Sequence, residues 1–129
     1  MNQFLSQQTK EEKEGFMKDA ALLIAPHKLA ERTVWWEQFA TNHPAFLYEQ
    51  EVRDKHNYYV SILLTGTDNT PFLIDGRLSN YFAEAYESLA NAYGQSETNG
   101  VTAAYYTALK FRDTATVEKI RSIYALPHP

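Results

Sequence analysis

The chain has no cysteine, which excludes disulfide staples, thiolate nucleophiles and cysteine-based zinc sites and fits a reducing compartment. Glycine and proline are scarce, five of each in 129 residues, so neither a fibrous repeat nor a low-complexity linker is encoded. Lys and Arg never form a run, and the formal net charge is −4. A nucleic-acid interface draws its affinity from phosphate contacts, so that class of partner is not expected. No apolar stretch approaches the ~20 residues that a bilayer-crossing helix needs. The first thirteen residues are polar and mixed in charge, without the basic-then-apolar order of a secretion signal. These absences predict a cytoplasmic protein with no membrane partner.

Motifs of chemistry are missing too. The sequence holds no glycine-rich phosphate loop, no histidine pair at helical metal spacing and no Gly-x-Ser-x-Gly elbow. Accordingly no cofactor, no metal and no catalytic residue is assigned.

What is present is a surplus of aromatics, nine Tyr, seven Phe and two Trp, within 44% hydrophobic content. The length suits a single domain over residues 1–129 with one real core, with residues 1–8 and 127–129 expected to fray and 95–100 expected as a mobile loop. Each buried tyrosine hydroxyl needs a partner, so part of the Tyr complement should lie at the surface.

Periodicity predicts an α+β fold in the order α-α-β-β-β-α-β-α. Thr9 to Glu12 reads as a capping box, followed by a helical face of Phe16, Ala20, Leu23 and Ile24. Pro26 either ends that helix or opens a second at its first position, which would run to about Ala40. Its apolar arc is wide enough that Trp35 or Trp36 is a candidate contact for a partner. Residues 45–53 and 58–65 alternate as the two strands of a hairpin, with 54–56 as its loop, and 71–75 supplies a third strand of an antiparallel meander. Leu78, Tyr81, Phe82, Ala85 and Leu89 form a helical stripe that ends at Gly94. Residues 101–112 fit both periods; the Tyr, Thr and Phe content favours a further strand. A last helix covers 116–125. The helices should pack mainly on one face of the sheet.

Two sets of residues are candidates for function. Asp54, His56, Asp75 and Arg77 sit at predicted strand ends and form a weak active-site constellation; the four histidines are otherwise scattered. The open sheet face would carry Glu49, Glu51, Tyr59, Leu63, Tyr106, Lys110 and Arg112. The two glutamates would project from one side, roughly 7 Å apart. Aromatic and apolar residues rimmed by charge have the composition of an interface. The sequence therefore reads as a small acidic non-enzymatic protein-binding module: an inhibitor, an immunity or anti-defence protein, or a chaperone-like adaptor. Its partner is another protein, a second copy in a homodimer included. The alternative is a small-ligand domain or enzyme with a Tyr-lined pocket between helices and sheet.

Overall fold

A computed structural model of the chain describes residues 2–124. Six helices are found among them: α1 (Asn2–Glu14), α2 (Pro26–Asn42), α3 (Glu49–Thr65), α4 (Asn80–Ala92), α5 (Glu97–Lys110) and α6 (Thr114–Tyr124). Three hairpins of two-residue strands lie among them: β1 (Met17–Lys18) with β2 (Ala21–Leu22) between α1 and α2, and β3 (Gly66–Thr67) with β4 (Thr70–Pro71) and β5 (Leu73–Ile74) with β6 (Arg77–Leu78) between α3 and α4. The expected fraying at 127–129 lies outside the described residues, as does His128.

The bundle is built around α2. Pro26 fits the first turn of that helix because its missing donor falls where no intrahelical acceptor exists. Leu29, Ala30, Val34, Trp36 and Phe39 point inward, and α3 and α4 pack against it. Burying a side chain such as Leu29 or Leu63 contributes about 1.5–3 kcal/mol. The α5 and α6 helices pair with each other and close the far side over α3.

The three-stranded meander predicted from the sequence is absent, because residues 49–65 form one continuous helix. Val52, His56, Tyr59, Val60 and Leu63 fall on one helical face, yet Tyr58, Val60, Ile62 and Leu64 also alternate. With 59, 60, 62, 63 and 64 all buried, the second half of α3 is apolar around most of its circumference and satisfies either period. The decisive signal is the lack of any Gly or Pro between 45 and 65. Glu49 and Glu51 sit in the first turn, where the helix dipole favours carboxylates. Two residues apart on a helix, they diverge rather than share a face.

Residues 101–112 are likewise not a strand. Ser96 caps α5 by accepting the Asn99 N–H at 3.0 Å, and Thr98, Thr102, Tyr105 and Ala108 make its buried stripe. Only Lys110 of the Lys110–Arg112 end remains helical.

The first helix lies earlier than expected. Thr9 is inside α1, residues 2–8 are helical and Phe4 is buried. Gly15, at φ 76°, ends that helix, and Asp19 and Ala20 (φ 53° and 60°) turn the chain back into β1–β2, so the amphipathic helix expected over Phe16, Ala20, Leu23 and Ile24 is replaced by a hairpin. The same left-handed pair recurs at Asp75 (φ 53°) and Gly76 (φ 77°), which close β5–β6 as a type I′ turn.

Candidate functional site

The β5–β6 hairpin, α4 and α5 enclose a groove of about 410 Å³. Its apolar lining comes from Leu73, Leu78 and Leu109, and Tyr106 and Lys110 form its α5 wall. The Lys110 ammonium lies 4.4 Å above the Tyr106 ring centroid, a cation–π contact that holds the charge at the rim. Tyr86 meets the Tyr106 ring edge-on, at 6.3 Å, and donates its own hydroxyl to the Leu63 carbonyl at 2.7 Å. Arg77 supplies a second cation from the hairpin. Neither Arg77 nor Lys110 forms a salt bridge with a carboxylate of the described residues. Leu73 is 42% exposed, and Ile74 and Phe111, chain neighbours of groove residues, are exposed as well.

On the opposite flank α1 is tied down by a buried polar cluster. Glu11, 5% exposed, accepts hydrogen bonds from the Tyr59 hydroxyl (2.5 Å), the Trp36 indole (2.8 Å) and the Gln7 amide (2.8 Å), with the Lys55 ammonium 3.7 Å away. Arg32, 2% exposed, donates to the Tyr59 hydroxyl, to Glu14 and to the Glu11 and Gly15 carbonyls. Burial, and then the Glu11 carboxylate, push the Tyr59 phenol up, so it remains protonated as a donor. A cleft of about 450 Å³ opens beside the cluster, but Tyr59 is wholly enclosed. The cluster therefore works as a clamp on α1.

Comparison with protein-family models, with curated proteins and with solved structures finds no significant match in any of the three.

The sequence-derived candidates are dispersed. Trp36, Tyr59 and Leu63 are core residues, because they lie on the inner faces of α2 and α3 rather than on an open sheet. Trp35 is half-buried and stacks on Phe39. Glu49 pairs with Arg53 on the outside of α3, and Glu51 is exposed. Asp54 accepts from Gln50 one turn away at 2.9 Å. His56 turns inward toward α5, while Asp75 and Arg77 belong to the β5–β6 hairpin; the four do not converge. Arg112 is exposed just beyond α5 with φ 55°. Arg77, Tyr106 and Lys110 are the predicted residues brought together. Leu78, which belongs to the helical stripe expected before Gly94, and Leu109 complete that groove. Among the described residues no three side chains cluster as metal ligands would, and no helix is long and apolar enough to cross a membrane.

His56 has a structural task. Its Nε2 lies 3.2 Å from the Thr98 hydroxyl, which in turn donates to Glu37 at 2.6 Å; Glu37 also accepts the Thr98 N–H at 2.7 Å at the start of α5. Burial lowers the His56 pKa below its ordinary 6.5, against the pull of Glu37. With the folded pKa the lower one, acid protonates the unfolded chain first. Stability is therefore full above about pH 6.5 and falls as the pH drops through and below that value. The melting temperature of wild type should decline between pH 7.5 and 5.5 more steeply than that of His56→Gln. Equal slopes would remove His56 from this account.

Proposed function

We propose that the chain is a non-enzymatic binding module that recognises a partner protein through the groove between the β5–β6 hairpin, α4 and α5. The observation that supports this reading is the pairing of an apolar lining, Leu73, Leu78 and Leu109, with two cations that have no carboxylate partner among the described residues. Such a groove suits an apolar segment that carries Asp or Glu: the leucines supply desolvation and the cations set orientation. Inhibitor, immunity or anti-defence protein and chaperone-like adaptor are the roles that a module of this kind fills. Cytoplasmic residence belongs to the same proposal and is supported by the cysteine-free chain.

The test is a display selection of random peptides on the immobilised protein. Wild type should enrich sequences that combine large apolar residues with Asp or Glu. The Arg77→Glu/Lys110→Glu variant, altered only at exposed side chains, should melt as wild type does and weaken those peptides at least about tenfold. A selected pool without acidic bias, or one indifferent to the double variant, would sink the reading.

One segment of the chain has the required composition itself. Leu47 is 79% exposed, and Glu51 is exposed nearby at the start of α3. This supports a second copy as a partner, read out as a concentration-dependent rise in mass by light scattering that the same double variant abolishes.

A further inference from the structure

The α1 and α2 helices run antiparallel, since Phe4 meets Trp36 and Phe39 while Glu14 meets Lys28 and Arg32. Between them lies a separate groove of about 420 Å³. One side of it is an aromatic ladder at helical spacing on α2. The Trp35 ring stacks on Phe39 (centroids 5.3 Å, 17° between planes), and Phe39 stacks on His43 (4.2 Å, 18°). The remaining lining is rich in amides: Gln3 and Gln7 from α1, Gln38 and Asn42 from α2. Gln3, Gln38 and Asn42 are exposed, and their side chains make no hydrogen bond among the described residues.

The charge pattern of this groove narrows its ligand. Among the described residues no carboxylate lines it, although the chain carries sixteen acidic residues. Its one lysine, Lys10, is 3.7 Å from Glu31, outside the groove. Among the described residues, a phosphate-bearing ligand would find only an ammonium that already faces Glu31, and a cation would find no carboxylate. An amide side chain donates and accepts at once without charge. Its complement is a neutral group that also does both, and adjacent hydroxyls on a ring are such a group. A ring with an apolar C–H face is the natural cover for the half-buried Trp35 indole. The volume lies within the range of small-ligand sites.

We propose that this groove binds an uncharged saccharide, with the C–H face of one sugar ring against Trp35 and its hydroxyls bridged by Gln38 and Asn42 from α2 and Gln3 from α1. This is independent of the partner groove between α4 and α5, which shares no residue with it.

A neutral glycan array, followed by saturation-transfer NMR with the sugars that score, tests the proposal on the full chain. At least one neutral sugar should bind, with saturation strongest at ring C–H protons, and its affinity should fall about tenfold or more in Trp35→Ala and in Gln38→Ala/Asn42→Ala. Trp35 contacts Trp36 and Phe39, so loss of folding in its variant is a foreseeable complication. The amide double variant changes only exposed side chains and carries the test in that event. No neutral sugar bound, sugar binding unchanged by the amide double variant, or capture of only adenosine or a capped peptide in the same NMR experiment overturns it.

Discussion

Glu11→Ala should lower the melting temperature by about 10–15 °C, equivalent to about 3–5 kcal/mol at this chain length. The size of the effect follows from what the carboxylate leaves behind. The Tyr59 hydroxyl and the Trp36 indole, both buried, each lose an acceptor, and an orphaned buried donor costs about 1–3 kcal/mol. Lys55 loses its counter-charge, and the Arg32 guanidinium stays in the interior with a buried Nε that already lacks a partner. Glu11→Gln keeps one acceptor oxygen without the charge and should cost roughly half as much. Glu12→Ala, at an exposed neighbouring position, should stay within about 0.5 kcal/mol of wild type. A Glu11→Ala protein that melts with Glu12→Ala would show that the Glu11 carboxylate does not hold α1.

That clamp was invisible in the sequence for a physical reason. Glu11 reads as an ordinary helical acid, and only its seven-residue spacing from Phe4, which sets both on one face of α1, hinted that it points inward. What makes it a clamp is Tyr59, 48 positions away, and a contact at that separation leaves no local trace. Elements punctuated by a breaker or a single stripe were legible: α2 opening at Pro26, α4 from its stripe to Gly94, and α6. The central error came at α3, where a nearly all-round apolar run carried two periods and the longer one won. With residues 49–65 helical, Tyr59 and Leu63 lie in the core and not on an open sheet face, and most of the predicted surface goes with them. Arg77, Tyr106 and Lys110 survive as neighbours because the Asp75–Gly76 turn and the α5 helix meet, although the sequence argument had placed Arg77 in a different set from the other two.

Gly66→Ala should be as damaging as the loss of the clamp, at about 3 kcal/mol or more. Gly66 follows α3 with φ 68° and ψ −162°, a region that only glycine occupies without strain, and strain of that kind costs about 1–3 kcal/mol. Steric conflict adds to it. A Cβ at this position would stand 2.6 Å from the Phe72 backbone nitrogen and 2.7 Å from the Thr70 carbonyl oxygen. Both are main-chain atoms of β4 and the residue after it, so no rotamer change relieves the clash. Gly76→Ala tests the strain alone: its φ is 77° but nothing lies within 4 Å of the new carbon, and the cost should be about 1 kcal/mol. The difference between the two variants isolates the backbone contact. It also reaches the proposed partner groove, because Phe72 packs on Phe82, Tyr86 and Tyr105 and is followed directly by Leu73. Gly66→Ala should therefore weaken the peptides selected on wild type even at temperatures where the protein remains folded, while Gly100→Ala, inside α5 with open space around it, should stabilise by about 0.5–1 kcal/mol and leave those peptides bound. If Gly66→Ala costs no more than Gly76→Ala, the close approach of the α3 terminus to β4 is not a fixed contact in solution, and the groove does not depend on it.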